Sequence, residues 1–117
     1  MAKNYINDGN TIEFVAGADI TSGKGIVIGT LVAVALGDVA EGDTGVGLTS
    51  GVFELPKASG EITQGAVVNI KPGTGVINVG AGATGDLLNC GVAYAAAASG
   101  DTTVLVKINA AGGASIK

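Results

Sequence analysis

The chain has 117 residues, the size of one small domain, and its formal net charge at pH 7 is −4. All six of its cations are lysine, and an acidic chain without arginine is poorly suited to binding nucleic acid. The lack of histidine excludes His-based metal sites and Ser–His or Cys–His nucleophile pairs, and a single cysteine, Cys90, excludes an intrachain disulfide and a Cys-based metal site. We find no signal-peptide pattern and no apolar run of about 20 residues, so we expect a protein that is made in a cytoplasm and has no membrane segment.

The N-terminal arm, residues 1–10, is mostly polar, with Tyr5 and Ile6 as its larger apolar side chains. Such a segment is often a frayed terminus. It can also add a strand to the edge of a partner's sheet, with Tyr5 and Ile6 as anchors. The residues alone leave both interpretations open.

The rest of the chain alternates short apolar runs with turns rich in glycine and aspartate, which is the pattern of short β-strands. In chain order, strands are predicted at Thr11–Val15, 26–28, 31–36, between the turns at 41–44 and 50–51, at Val52–Pro56, 66–70 and 76–79, from Leu87 into 92–98, and at Thr103–Ile108. Only residues 94–98 have a composition that favours helix, and five residues suffice for about one turn. We therefore predict an all-β fold, a small β-barrel or sandwich with little or no helix, as a single domain 11–109 followed by a flexible tail, 110–117.

Two phrases of the sequence occur twice. Segment 34–44 has a counterpart in 92–102, because Val-Ala is followed by Gly-Asp-Thr in both, and segment 20–28 has a counterpart in 62–70. We interpret these matches as two degenerate copies of one β unit, 19–53 and 61–108. Two copies indicate pseudo-symmetry within one domain, since a solenoid needs three or more repeats.

Three features that could carry chemistry favour a structural interpretation. Residues 17–25 superficially resemble a phosphate-binding P-loop, but five residues separate the glycines instead of four, and Gly25 replaces the hydroxyl residue that ligates magnesium. Residues 80–85 match G-x-G-x-x-G, but strand signals resume at once where a dinucleotide-binding fold needs a helix. Cys90 has no neighbour in sequence that would stabilise a thiolate, so we expect a packed, inert thiol.

Most of the acidic residues lie in predicted turns. Paired carboxylates can hydrolyse glycosidic bonds, but a sugar site also wants aromatic platforms, and only 3% of the residues are aromatic. We therefore expect solvated turn acids. A hydrolase that uses Asp43 or Asp101 is the alternative that these residues leave open.

The opening residues 1–12, the segment 51–58 (Gly-Val-Phe-Glu-Leu-Pro-Lys-Ala) and the closing segment 91–108 resemble a family of small bacteriophage proteins. Members of that family are described as capsid cement (decoration) proteins or as predicted phage recombinases of the RecA/RadA type. A recombinase of that type needs a P-loop, a helix-covered parallel sheet and basic DNA-binding loops. The sequence shows none of these, so the resemblance favours the cement label.

The resemblance implies a non-enzymatic protein that binds the major capsid protein on the outer capsid surface of a virion and stabilises the head, without a cofactor, nucleic acid or a membrane as partner. The layout of residues 37–53 is also similar to lambdoid head-decoration proteins, whose β-rich subunits trimerise on the capsid and whose N-terminal arm orders there by adding a strand. That similarity implies a homo-oligomer, a trimer, and a capsid-contacting arm. The arm residues are Ala2, Lys3, Asn4, Tyr5 and Ile6. The alternative from another class is a DNA-binding accessory protein in phage recombination.

Overall fold

The computed structural model describes residues 9–117, and over that range the backbone forms ten β-strands and no helix. The all-β prediction is confirmed. The strands are β1 (Thr11–Val15), β2 (Gly25–Ile28), β3 (Leu31–Ala35), β4 (Thr44–Leu48), β5 (Val52–Pro56), β6 (Val67–Ile70), β7 (Ile77–Asn78), β8 (Leu87–Ala93), β9 (Thr103–Ile108) and β10 (Ser115–Ile116). Most of them are rich in branched side chains, which fit the pleated surface of a sheet.

The strands form two sheets of matching order. The first sheet has the order β1-β4-β3-β2, and the second has β5-β9-β8-β6 in the equivalent places, followed by β7, with β10 paired to β8. Each half therefore begins with a strand that pairs with the last strand of the same half, and the prediction of two pseudo-repeated halves is confirmed. The halves are β1–β4 and β5–β9, and each begins one strand earlier than the predicted copy. The predicted copies left out these first strands because β1 and β5 share no recognisable phrase.

Equivalent hydrogen bonds hold the two halves. The Gly23 amide donates to the Ala35 carbonyl at 2.9 Å, and the Gly65 amide donates to the Ala93 carbonyl at 2.8 Å. Isolated antiparallel bridges also correspond, since Ile20 pairs with Val39 and Ile62 pairs with Ala97. The repeated Ile-Thr-x-Gly phrase thus encodes the same turn into the second strand of each half.

The halves differ in closure. β7 pairs with β6, and a parallel bridge joins Ile77 to Lys57, the residue after β5, so the second sheet closes on itself. The Ala58 amide also donates to the Ile77 carbonyl at 2.8 Å. Among residues 9–117, no strand lies in the corresponding place between β1 and β2. We call β5–β9 the closed barrel and β1–β4 the open half.

One apolar core spans both halves. Val32 and Val34 of the open half belong to the same buried cluster as Leu55 and Ile70 of the closed barrel. The largest fully buried side chains are Leu55, Ile70, Ile77, Leu87, Val32, Val68 and Val106. Burying one such side chain contributes about 1.5–3 kcal/mol, so the halves stabilise each other through this shared core.

Two segments near the C-terminus differ in detail from the predicted strands. The strand predicted from Leu87 into 92–98 ends at Ala93. Residues 94–98 form no helix either, because Ala97 pairs with Ile62 and five residues cannot offset the cost of helix nucleation. Residues 115–116 form β10, in which Ile116 lies opposite Leu87. The flexibility of the tail 110–117 and the domain limits 11–109 stay predictions.

Candidate functional site

The predicted capsid-contacting arm, residues 2–6, lies outside the described residues, and its role stays a prediction. The described chain enters the fold at the turn between β4 and β5. There the Thr49 amide donates to the Asn10 carbonyl at 2.9 Å, and the Thr49 hydroxyl donates to the Gly9 carbonyl. The Ser50 hydroxyl donates to Asn10 Oδ1 at 3.0 Å. These contacts fix the point from which an arm departs.

The outer surface of the closed barrel carries exposed apolar side chains from adjacent strands. Val67 lies opposite Val92, and Val52 and Val92 both lie opposite Lys107. Directly opposed residues of neighbouring strands point to the same face, so these side chains form one patch. We define the outer apolar face as Val52, Val67, Val92, Tyr94 and Leu105. Tyr94 and Leu105, 57% and 38% exposed, extend it, since the Tyr94 amide donates to the Leu105 carbonyl.

Val92 is half-buried, and Lys107 lies between Val52 and Val92 on this face. A cluster of mostly exposed apolar side chains of this kind is a candidate interaction surface. The alternation in β9 predicts that Thr103, Leu105 and Lys107 share a face, and the structure confirms it. The sequence did not indicate which side chains of β5, β6 and β8 lie beside them. That arrangement depends on the strand order and the register, which no local pattern encodes.

The two free edges of the open half flank a groove of about 260 Å³, which we call the edge groove. Its walls are the end of β1, the whole of β2 and, from the closed barrel, Pro72 and Gly73. Phe14, Ile26 and Ile28 line it and are half-buried. The lining is largely apolar, and both flanking strands are edge strands, which is the geometry that accepts an added strand.

Of the two carboxylates considered for hydrolysis, Asp43 and Asp101, the second caps a turn. Asp101 Oδ2 accepts the Ala98 amide at 2.9 Å, and Asp38 Oδ1 accepts the Ser22 amide at 2.8 Å. Asp43 lies at the corresponding turn of the open half, before β4. Among residues 9–117 no three His, Cys, Asp or Glu side chains are grouped to hold a metal ion. The carboxylates of Asp101 and Asp38 thus cap backbone amides in their turns.

The glycine motifs lead into strands, as predicted. Residues 17–25 run into β2 and residues 80–85 into β8. The second loop is anchored from within the protein, because Asp86 Oδ2 accepts the Ala83 amide at 2.9 Å and the Asn78 side chain at 3.0 Å. Lys117 Nζ donates to the carbonyls of Ala81 and Gly82. These contacts bind the loop to the C-terminal residues.

Cys90 is buried, and its thiol donates to the Val68 carbonyl oxygen at 3.4 Å. Burial raises the pKa of the Cys90 thiol from 9.0 to about 12, and a backbone hydrogen bond lowers it by less. A thiol with this pKa holds its proton at neutral pH. The prediction of a packed, unreactive thiol agrees with this environment.

We expect iodoacetamide to leave Cys90 unmodified in the native protein and to alkylate it after unfolding in urea, as measured by mass spectrometry. The unfolded thiol ionises above about pH 9 while the native thiol stays protonated, so the free energy of unfolding should fall as pH rises from 9 toward 12. Cys90→Ala has no thiol to ionise, so its free energy of unfolding should fall less between pH 9 and 12. Native alkylation at neutral pH would contradict the buried thiol.

No helix among the described residues has the length and apolar character needed to cross a membrane.

Comparison with known proteins supports one of the two labels considered above. Residues 6–108 match the family described as phage cement protein. No curated protein and no solved structure matches the chain. The recombinase label finds no support in the comparison, in agreement with the lack of helix in residues 9–117. Because the match covers most of the sequence, the chain belongs to the phage cement protein family.

Proposed function

We propose that the protein is a non-enzymatic cement protein that binds the outer surface of a phage head and stabilises it. The observation that carries the proposal is the family match over residues 6–108. The outer apolar face supports it, since it offers a surface for a protein partner. The contacts of the turn acids and of Cys90 support a structural role, since they serve the fold.

The proposed mechanism is multivalent clamping. A homo-oligomer, which we propose to be a trimer, contacts several neighbouring subunits of the major capsid protein at once, and each further contact forms at a high effective concentration. The proposed contacts are the outer apolar face and the arm residues Ala2, Lys3, Asn4, Tyr5 and Ile6, which would add a strand to the capsid. The net charge of −4 suits an outer site because it repels DNA.

Leu105→Asp should weaken binding to undecorated capsids of the same phage by about tenfold or more, because a carboxylate replaces an apolar side chain worth about 1.5–3 kcal/mol on burial. Leu36→Asp is the matched control, since Leu36 is 52% exposed and lies in the open half, outside the outer apolar face. It should bind like the unmodified protein. Co-sedimentation with immature and expanded shells measures both. Equal binding of the two variants would contradict the role of the outer apolar face.

A version that lacks residues 2–8 in the same assay tests the arm. Weaker binding than that of the full chain is expected. Unchanged binding would keep the cement function and contradict the arm's capsid contact. Failure of the full chain to bind either shell would contradict the proposed function, and a salt-sensitive shift of DNA would then favour the recombination accessory protein.

A further inference from the structure

The edge groove lies where β7 lies in the closed barrel. By strand order β1 corresponds to β5 and β2 corresponds to β6. In the closed barrel, Ile77 pairs with Ile70 of β6 and bridges Lys57, the residue after β5. The corresponding positions in the open half are Ile28 of β2 and Ala16, the residue after β1, and both line the edge groove. The closed barrel thus shows that a short strand such as β7 fits a gap of this shape.

The side chains around the gap lack one apolar neighbour. Ile77 is 1% exposed and belongs to one buried cluster with Leu55, Val68 and Ile70, each of which is 0% exposed. The counterparts of these three residues are Phe14, Ile26 and Ile28, which are only half-buried. A strand that placed an isoleucine between them would reproduce the buried environment of Ile77 and remove apolar surface from water.

The sequence contains a segment that matches β7. Ile77 and Asn78 are followed by a residue and then by Gly80, and the same Ile-Asn-x-Gly phrase occurs at residues 6–9 of the arm. Both glycines have positive φ, 74° at Gly9 and 86° at Gly80. The eight residues before Gly9 can extend over about 26 Å, more than the two-residue β7 requires.

The direction of β7 decides which copy supplies the segment. The bridge between Ile77 and Lys57 is parallel, so an occupant in the same orientation runs parallel to β1 and places Ile6 beside Ala16. In its own chain, Ile6 is four residues before Asn10 and can be at most about 14 Å away from it, whereas Asn10 and Ala16 stand about 20 Å apart along β1. The chain's own arm therefore cannot adopt this orientation.

We propose that the edge groove of one copy holds the N-terminal arm of a second copy, with Ile6 in the place that Ile77 takes in the closed barrel. The arm forms the missing strand of the open half and joins two copies in solution. The inference goes beyond the proposed function, since it concerns the protein before a shell is present. Contact of the arm with the capsid would require the arm to leave the groove.

Disulfide trapping between two differently labelled chains tests the proposal. Chains carrying Ile6→Cys are mixed with ¹⁵N-labelled chains carrying Ala16→Cys in a glutathione redox buffer, without capsids, and the linked species are weighed by mass spectrometry. Residues joined by a β-bridge are close enough for a disulfide, so we expect linked heterodimers of these two chains. The native Cys90 is buried and does not compete.

The control replaces Ala16→Cys by Val46→Cys. Val46 is an exposed residue of β4 that does not line the edge groove. The yield of heterodimer with Ala16→Cys should exceed the yield with Val46→Cys by roughly tenfold, because the docked arm raises the effective concentration of its thiol. If Ala16→Cys does not fold, Gly17→Cys replaces it, because a Cβ at Gly17 meets no atom within 4 Å.

Two outcomes would overturn the proposal. One is an equal yield with Val46→Cys. The other is sedimentation of the unmodified chain as a monomer at the concentrations used for trapping, since a docked arm joins two copies. Neither outcome involves a capsid, so each is distinguishable from a failure of the cement function.

Discussion

Asn109→Ala should lower the free energy of unfolding by about 3 kcal/mol, because Asn109 joins the two halves through its side chain. Its Oδ1 accepts the Val32 amide at 2.9 Å, and its Nδ2 donates to the carbonyls of Val32 and Thr49 at 2.8 and 2.7 Å. Val32 is fully buried, so its amide and carbonyl would lose their partner away from water, at about 1–3 kcal/mol for each group. Urea unfolding followed by circular dichroism measures the change.

Asn89→Ala is the matched control. Asn89 and Asn109 are the two non-glycine residues with positive φ among residues 9–117, at 57° and 58°, so alanine pays the same backbone cost at both. The Asn89 side chain makes one exposed hydrogen bond, to the Gly113 carbonyl at 3.2 Å. Its replacement should cost about 1 kcal/mol. Equal losses in the two variants would contradict the joining role of the Asn109 side chain.

Local patterns in the sequence were sufficient for the strands and for the repeat. Val104, Val106 and Ile108 alternate with outward residues, and all three are buried. The repeated Ile-Thr-x-Gly phrase places Gly23 and Gly65 at equivalent turns with φ of 85° and 83°. Turn chemistry and period-two alternation act over a few residues, and therefore a single sequence displays them.

The sequence could not reveal contacts between distant residues. Asn109 follows a strand as an ordinary turn residue, and its partner Val32 lies 77 positions away. Closure of the second sheet depends on β7, and the strand predicted at 76–79 gave no indication that it pairs with β6 and bridges Lys57. The outer apolar face and the edge groove follow from strand order and closure. Both surfaces were therefore beyond prediction, although many of their residues, such as Val52, Leu105 and Ile28, were correctly assigned to strands.

Ile70→Ala should lower the free energy of unfolding by about 4 kcal/mol, whereas Ile28→Ala should lower it by about 1 kcal/mol. The two isoleucines occupy corresponding positions, Ile70 at the end of β6 and Ile28 at the end of β2. Ile70 is 0% exposed and belongs to the same buried cluster as Ile77, while Ile28 lines the edge groove and is half-buried. Truncation of Ile70 leaves a cavity in a closed core, and truncation of Ile28 removes surface that water already reaches.

The measurement is made in a version that lacks residues 2–8, so that no arm can cover Ile28, with urea unfolding followed by circular dichroism. Equal losses in that background would contradict the difference in closure between the two halves. In the full chain, at concentrations where copies associate, the cost of Ile28→Ala should rise above about 1 kcal/mol, since the arm of a second copy then packs on Ile28. The cost of Ile70→Ala should stay the same, because β7 covers Ile70 within its own chain. The two variants thus compare Ile70, which β7 of the same chain covers, with Ile28, which the arm of a second copy covers.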